Sequence, residues 1–362
     1  MQTGIKCSVF RGGTSKGPYF LKEALPASTE LRDKVLLLVM GSPDVRQIDG
    51  LGGSNPLTSK VAMVSRSTRN DADVDYLFLQ VFVDQPRVDI TQNCGNILAG
   101  VGPFAIEQGL VRADKDHTKV RIHMVNSESI AIADIETPGR EVNYDGSARI
   151  DGVPGTAAPI MLDFLDIAGS ASGSLLPTGN TRDMIEGIPV TLIDNGMPVI
   201  VVRAEDMGVT GYESPADLEA NKDLVALKER IRLKAGPMMN LGDVAKKSVP
   251  KVSLIAPAKE GGTISTRTFI PHRIHEAVGV LGAVSVATAA MLPGSVAIDI
   301  AKSAGSGSER QIEVEHPTGF FSVRVGIGKD GRTVERAALL RTARKIMDGT
   351  VFIPALVWDG RL

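Results

Sequence analysis

The 362-residue chain is 43% hydrophobic and 23% charged, the ordinary balance of a protein that can bury a full core. Its length is more than twice that of a typical domain and favours two domains. A net charge of −2 excludes a global positive field for nucleic acid or anionic lipid, and one Trp with four Tyr offers few stacking platforms for single strands. Local cations must therefore hold any anionic ligand.

The sequence shows no sign of a membrane or secreted location. It has no apolar run of about 18 residues, the length that a membrane-spanning helix requires. Its first seven residues lack the basic-then-apolar pattern of a secretory signal. Only Cys7 and Cys94 are present, far apart, which suits a reducing compartment and gives no disulfide framework. We expect a cytoplasmic protein with no membrane partner.

Short apolar runs between glycines and prolines predict a chain that is mostly β-strand. The predicted strands are residues 57–64, 74–83, 120–125, 130–135, 190–194, 198–202, 251–255 and 320–325. Two amphipathic helices are predicted at 30–40, ending at Gly41, and at 216–234, ending at Gly236.

Two further predicted helices have unusual surfaces. Residues 94–107 and 275–291 are small and apolar almost all round, the pattern of a helix surrounded by protein. They lie about half a chain apart, each among predicted strands. We therefore expect two similar β-rich halves, each wrapping a sheet around one buried helix.

The first candidate site is the segment 92–96, Gln-Asn-Cys-Gly-Asn, where predicted strand gives way to the first buried helix. A thiol in the first turn of a helix meets unpaired N–H groups and the positive dipole end, which favour the thiolate. Cys94 can then take a proton from carbon and return it, while Asn93, Gly95 and Asn96 supply backbone suited to a carboxylate. The alternative is that Cys94 is a small buried hydrophobic residue.

The second candidate is the segment 11–17, RGGTSKG. Gly13 and its neighbouring glycine allow close backbone approach, and four side chains can donate to an anion. These are Arg11, Thr14, Ser15 and Lys16. The spacing is not that of a P-loop. The alternative is a solvated loop between strands.

The third candidate is the polar loop 49–60, which contains Asn55 and Ser59 and runs into a predicted strand at Lys60. A lysine at such a boundary can lose solvent and favour the neutral amine, the form that acts as a base. Most lysines at strand entries are simply solvated, and that alternative stays open here.

The fourth candidate is the segment 265–275, which leads into the second buried helix. Arg267, His272 and Arg273 are predicted to form a carboxylate clamp at that helix's N-terminus. His272 and His275 form an i, i+3 pair, but no other His or Cys has ligand spacing, so no metal is expected. No dinucleotide, kinase or hydrolase motif appears, and no organic cofactor is expected.

Five segments together resemble the methylaconitate isomerase (PrpF-like) family, over residues 4–355. They are 11–17 (RGGTSKG), 41–50 (GSPDVRQIDG), 58–60 (TSK), 93–96 (NCGN) and 269–275 (FIPHRIH). Within that family, segments 51–61, 73–84 and 92–111 are most similar to 4-oxalomesaconate tautomerases and isomerases of aromatic-acid breakdown.

The resemblance implies a mixed α/β fold like diaminopimelate epimerase, with two related domains, each a curled sheet around a central helix, and a site between them. The expected domains are 1–185, completed by 340–362, and 186–339. Epimerases of this fold place a cysteine at the start of each central helix, but here only Cys94 matches, since residues 279–282 contain no thiol. In the isomerase branch the lysine matching Lys60 takes the second role.

We therefore predict a cofactor-independent isomerase that relocates a proton on an unsaturated tricarboxylate, with Lys60 and Cys94 as acid and base in an order left open. The expected substrate is 4-oxalomesaconate. The alternatives are 2-methylaconitate cis–trans isomerisation and a non-catalytic carboxylate-binding protein. The expected partner is the small polycarboxylate itself, and a homodimer is compatible with the sequence.

Overall fold

The computed structural model describes residues 1–91, 93–165, 167–270, 272–302, 309–328 and 334–361. The chain divides into two compact units. Unit 1 is Met1–Asp163 with Leu340–Leu362, and unit 2 is Phe164–Leu339. These limits differ from the expected domains in the segment 164–185, whose contacts assign it to unit 2.

Seventeen strands lie within the described residues. They are β1 Gln2–Gly12, β2 Ser15–Leu21, β3 Lys60–Arg66, β4 Val74–Val81, β5 Val88–Asp89, β6 His117–Met124, β7 Ser129–Glu136, β8 Ile160–Leu165, β9 Asp183–Ile185, β10 Ile188–Asp194, β11 Pro198–Arg203, β12 Lys251–Pro257, β13 Ile264–Phe269, β14 Glu309–His316, β15 Gly319–Ile327, β16 Val334–Arg341 and β17 Ala343–Pro354. The same residues contain six α-helices. They are α1 Thr29–Met40, α2 Gly95–Leu98, α3 Val101–Glu107, α4 Pro215–Ala220, α5 Lys222–Met238 and α6 Val280–Ala289.

Strand pairing follows the same scheme in both units. In unit 1 the hairpins β1–β2, β3–β4 and β6–β7 are joined by the parallel pairs β2–β3 and β4–β6. In unit 2 the hairpins β10–β11, β12–β13 and β14–β15 are joined by the parallel pairs β11–β12 and β13–β14. Unit 1 is completed by β17, which pairs antiparallel with β1 along its whole length.

Each sheet packs against a buried helix. In unit 1, α2 contacts β1, β2 and β3, and α3 contacts β3, β6 and β7. In unit 2, α6 contacts β10, β11, β14 and β15, and all ten of its residues are buried. The predicted fold class, mixed α/β with a sheet around a central helix in each half, is confirmed.

The predicted helices occur with shifted boundaries. Helix α1 begins after its Ser28 cap and ends at Gly41, whose φ of 74° is left-handed, as predicted. The predicted helix 94–107 is interrupted at Ala99–Gly100, because Pro103 has no N–H to donate to the Ala99 carbonyl. The predicted helix 216–234 is likewise two helices, α4 and α5, since the Asn221 side chain caps a new start by accepting from the Leu224 N–H.

The second buried helix begins at Val280, not at His275 as predicted. The preceding residues turn back onto β13 instead. The Ile270 N–H donates to the Arg273 carbonyl at 2.7 Å, and the His275 N–H donates to the Thr268 carbonyl at 2.9 Å. None of the helices in the described part of the chain has the length and apolarity that a membrane span requires.

Candidate active site

Three predicted side chains meet in unit 1 at the junction of β2, β3 and α2. The Lys60 Nζ atom lies 3.3 Å from the Cys94 Sγ atom and 3.1 Å from the Ser15 Oγ atom. All three residues are buried, with Cys94 and Lys60 each 8% exposed. An amine and a thiol at this distance can exchange a proton, which is the geometry that an acid/base pair needs.

Helix α2 fixes the thiol. Cys94 is the extended residue before the helix, and its carbonyl accepts the first helical hydrogen bond from the Leu98 N–H at 2.9 Å. The Tyr76 hydroxyl donates to that same carbonyl at 3.2 Å, and the Tyr19 hydroxyl donates to the Ile97 carbonyl. Burial, and after it the charge of a Cys94 thiolate, raise the pKa of both tyrosines well above the ordinary value. Both phenols therefore stay protonated and hold the start of the helix.

Lys60 is positioned by the close approach of β2 to β3. A Cβ atom added at Gly17 would lie 1.7 Å from the Lys60 carbonyl oxygen, so only glycine allows this approach. The Lys60 Nζ atom lies 5.8 Å from the centre of the Phe78 ring. Among the residues that the structure describes, no carboxylate lies within 4.0 Å of this ammonium. Its polar neighbours are the thiol and the Ser15 hydroxyl.

The hairpin turn between β1 and β2 packs on the start of α2. Gly13 has a left-handed φ of 52°, and a Cβ atom there would lie 2.1 Å from Asn96 Oδ1. The Asn96 amide donates to the Thr14 Oγ1 atom at 3.1 Å. This contact brings Gly13, Thr14 and Asn96 to the same place as Cys94. The solvated-loop alternative for segment 11–17 is wrong at these positions, because the turn is packed.

Arg11 and Lys16 differ from the other predicted residues of this hairpin. The Arg11 Nη1 atom donates to the Gly13 and Thr342 carbonyls, both at 2.9 Å, and so braces the turn. Burial, and after it the charge of Arg344, lower the pKa of Arg11. Lys16 follows Ser15 on β2 and is half-buried. Because successive strand residues point to opposite faces, its side chain points away from the face that Ser15 shares with Lys60.

The loop before β3 depends on Gln47, a residue that the sequence did not single out. Gln47 is 1% exposed and has a φ of 47°. Its Nε2 atom donates to the Ser59 hydroxyl at 2.7 Å and to the Ser42 hydroxyl at 3.1 Å, and its Oε1 atom accepts from the Ser54 N–H at 2.9 Å. Its position inside a polar, glycine-rich segment gave no periodic signal that could have revealed this role.

Three other predicted residues lie close to Lys60 or Cys94 in the sequence. Asn55 is exposed, and its side chain caps the short turn Pro56–Thr58 by accepting from the Leu57 N–H at 2.8 Å. Gly95 is the buried first residue of α2. The Asn93 amide donates to the Ser127 hydroxyl, and its Oδ1 atom is buried without a hydrogen-bond partner among the described residues. Gln92 lies outside the described residues.

The arginines predicted as a clamp belong to unit 2. Arg267 lies on β13, and its guanidinium donates to the Glu213 carbonyl at 2.9 Å and the Thr266 carbonyl at 2.8 Å. Arg273 is 81% exposed and pairs with Glu219 at 2.9 Å. His272 is exposed. Since α6 begins at Val280, none of the three lies in its first turn, and their contact with substrate stays a prediction.

The sequence did not predict a role for two buried side chains of unit 1, Arg341 and Cys7. Arg341 is 5% exposed, and burial lowers its pKa to about 9, while the charge of a Cys94 thiolate opposes that shift. It is therefore a cation at neutral pH, and its charge interacts with that of a Cys94 thiolate. The second thiol, Cys7, packs in the unit 1 core, and burial raises its pKa to about 11. Within the described residues no three His, Cys, Asp or Glu side chains lie together as a metal site would require.

A family model described as the PrpF protein matches residues 2–354. The chain belongs to the PrpF family. A PrpF-family relative from Novosphingobium sp. (strain KA1), a (4E)-oxalomesaconate Δ-isomerase, is 59% identical over 96% of this chain and 97% of its own. A 4-oxalomesaconate tautomerase from Pseudomonas putida is 55% identical over 99% of both.

Solved structures agree with this family membership. A crystal structure of methylitaconate-delta-isomerase is 38% identical, has a TM-score of 0.88, and is matched over 98% of this chain and 97% of its own. A hydroxyproline epimerase from Agrobacterium vitis, at 13% identity and a TM-score of 0.55 over 98% and 97%, shares the fold alone. This PrpF-family chain is an isomerase.

Proposed function

We propose that the protein is a cofactor-independent isomerase of 4-oxalomesaconate, acting in aromatic-acid breakdown, and that Lys60 and Cys94 carry the proton. The observation that supports this most directly is the 3.3 Å contact between Lys60 Nζ and Cys94 Sγ. The substrate is suggested by the relatives at 59% and 55% identity, whose names specify oxalomesaconate.

The reaction needs one proton to leave a carbon and one to arrive elsewhere on the same conjugated system. One member of the pair takes a proton from the carbon that the oxo and carboxylate groups acidify, and the C–H electrons pass into a dienolate. The other member delivers a proton at the far end of the allyl system, or at the oxygen to give the enol. Substrate and product are isomers, so no external oxidant or reductant is consumed.

The placement of the pair favours transfer on one face of the substrate. Two groups 3.3 Å apart both reach the same side of a planar bound molecule. An epimerase that inverts a carbon needs its acid and base on opposite sides, which this pair does not provide. Cys7, the remaining thiol of the sequence, packs in the unit 1 core. A one-thiol, one-amine isomerisation is the chemistry that these residues suit.

The residues near the pair supply the anion-binding groups of the proposal. In this proposal the Ser15 hydroxyl and the backbone N–H groups of Gly95 and Asn96 hold a substrate carboxylate and stabilise the dienolate as its charge develops. The buried cation of Arg341 adds positive potential at the thiol.

Turnover of 4-oxalomesaconate, followed by ultraviolet absorbance, tests this function. We expect conversion that survives dialysis against a chelator, and an allylic product formed in D₂O that carries solvent deuterium at a single carbon. Turnover of 2-methylaconitate with none of 4-oxalomesaconate would contradict the proposed substrate. Activity that a chelator removes and zinc restores would contradict the absence of a cofactor.

A further inference from the structure

Unit 1 has a concave feature formed by different residues from the Lys60–Cys94 pair. It is a cavity of 470 Å³ where the end of α3 passes into β6. Three arginines line it, Arg66 from β3, Arg112 from the segment before β6, and Arg140 from the turn after β7. This volume is in the range of small-molecule sites.

Two of the guanidinium groups are held by the same short turn. The Arg66 Nη2 atom donates to the Gly109 carbonyl at 2.6 Å, and the Arg140 Nη1 atom donates to the Ala113 carbonyl at 2.8 Å. Arg112 lies in the turn between those two carbonyls. Each anchored arginine uses one of its five N–H donors in this way, so the remaining donors are available to a ligand. The fixed guanidiniums lose little conformational entropy on binding.

The three arginines are exposed and have no close ionic partner among the described residues. In the described part of the chain, no carboxylate lies within 4.0 Å of the guanidinium of Arg66, Arg112 or Arg140. The remaining lining is apolar or small, and consists of Ile106, Gly109, Val111 and Ala113. Three like charges around an apolar floor repel one another, and an anion placed among them relieves that repulsion.

We propose that Arg66, Arg112 and Arg140 form a binding site for a small multivalent anion, separate from the isomerisation site. The shared chemistry is that of a phosphate group or of a molecule with two or three carboxylates, both of which accept paired N–H donors from arginine. The site requires no contact with the Lys60–Cys94 pair, so it does not depend on the proposed reaction.

Titration calorimetry with inorganic phosphate and, separately, with citrate tests this site and separates the two sources of anion. We expect at least one probe to bind the full-length protein, and Arg112→Met to weaken that binding at least tenfold. Arg112 is exposed, and its side chain has no hydrogen-bond partner in the part of the chain that the structure describes, so the substitution removes charge without removing a structural contact. Arg121→Met is the matched control, because Arg121 is an exposed arginine of the same unit that pairs with Asp73 at 2.7 Å.

Citrate can also enter the isomerisation site, so the titration is repeated in Lys60→Met, where the cavity arginines are unchanged. Hydrogen exchange of the native protein adds a measurement that needs no variant, since a bound anion should slow exchange in the turn 109–113. No binding of either probe, or equal affinity in Arg112→Met, Arg121→Met and the native protein, would overturn the proposal.

Discussion

The ammonium group of Lys60 contacts a thiol, whereas a buried lysine commonly contacts a carboxylate. A carboxylate would hold the ammonium permanently charged, which stabilises a protein but removes a base. The Cys94 thiol at 3.3 Å can hold or release the shared proton instead. The pair is therefore better suited to proton transfer than to stabilising the fold. Substituting either residue should lower activity and leave the protein folded.

We predict that Cys94→Ala and Lys60→Met each lower kcat by roughly 10²–10⁴-fold, the usual contribution of a general acid or base. If the two groups act on one substrate in sequence, as proposed, the double variant should lose far less than the product of the single losses. Steady-state kinetics of the three variants measure this directly.

Cys7→Ala is the matched control for the thiol, since Cys7 is buried in the unit 1 core and its pKa is raised to about 11. It should keep a near-native kcat with some loss of stability. Circular dichroism must show that every variant is folded. A folded Cys94→Ala enzyme with near-native kcat would remove the thiol from the mechanism.

At the scale of elements, the loop between α1 and β3 positions Lys60, and Gln47 stabilises this loop through hydrogen bonds inside it. We predict that Gln47→Leu, which keeps the size but removes three hydrogen bonds, lowers kcat about tenfold or more while changing KM less. The reason is that Ser59, which directly precedes Lys60, loses its donor. Gln85→Leu, an exposed glutamine in a neighbouring turn, should match the native enzyme. Equal kcat in both variants would show that the loop does not position the lysine.

The sequence predicted some elements of the fold and missed others. Periodicity predicted the buried character of α6 and the strands near β4, β6 and β7, because apolar side chains repeat along them. It missed β17, whose residues are mostly exposed, and the shift of α6 to Val280, because the hydrogen bond from the His275 N–H to Thr268 on β13 overrides helix propensity. It also left Gln47 and Arg341 unnoticed, since polar residues buried by distant contacts leave no local pattern.

Helix α5 contains a buried charge cluster that predicts a specific pH response. The fully buried cations Lys228 and Arg232 contact Glu229 at 3.3 and 2.7 Å. The hydrogen bond from Arg232 lowers the pKa of Glu229 from 4.5 to about 2. Because the folded pKa lies below the unfolded one, this stabilisation is complete above 4.5 and is lost as the pH falls through about 2.

We therefore predict that Glu229→Gln lowers the free energy of unfolding at pH 7 by about 3 kcal/mol, because it leaves two buried cations without this carboxylate. Urea unfolding between pH 5 and 3 should also show a weaker pH dependence than the native protein. Glu30→Gln is the control, because its ion pair with Lys34 on α1 is exposed on both sides. Equal unfolding free energies in the two variants would contradict a structural role for the cluster.

At the scale of the molecule, two units share one scheme of hairpins and parallel joins but differ in chemistry. Unit 1 places Cys94 before its central helix, whereas unit 2 places Gly279 before α6. Both cysteines of the sequence are in unit 1. A pair of equivalent thiols is therefore impossible in this chain, and in the proposed mechanism Lys60 of β3 is the second proton carrier, from the same unit. The shared fold alone would not have separated an isomerase from an epimerase.

Unit 1 is also discontinuous in sequence, so we predict that removing the C-terminal segment unfolds unit 1 and leaves unit 2 folded. Strand β17 pairs with β1 from Gln2–Pro354 to Gly12–Ala343, and Ile353 and Trp358 lie in the unit 1 core. Deleting residues 343–362 should expose one edge of β1, unfold unit 1 and abolish activity.

Unit 2 should remain folded in this deletion, because it keeps its whole chain and has its own buried cluster around Leu192, Ile231 and Leu254. Hydrogen exchange should therefore show lost protection in β1–β4 and retained protection in β10–β13. Deletion of residues 361–362 alone, which begins at the exposed Arg361, should leave both units protected. Retained activity or retained protection of β1 in the longer deletion would show that β17 is dispensable.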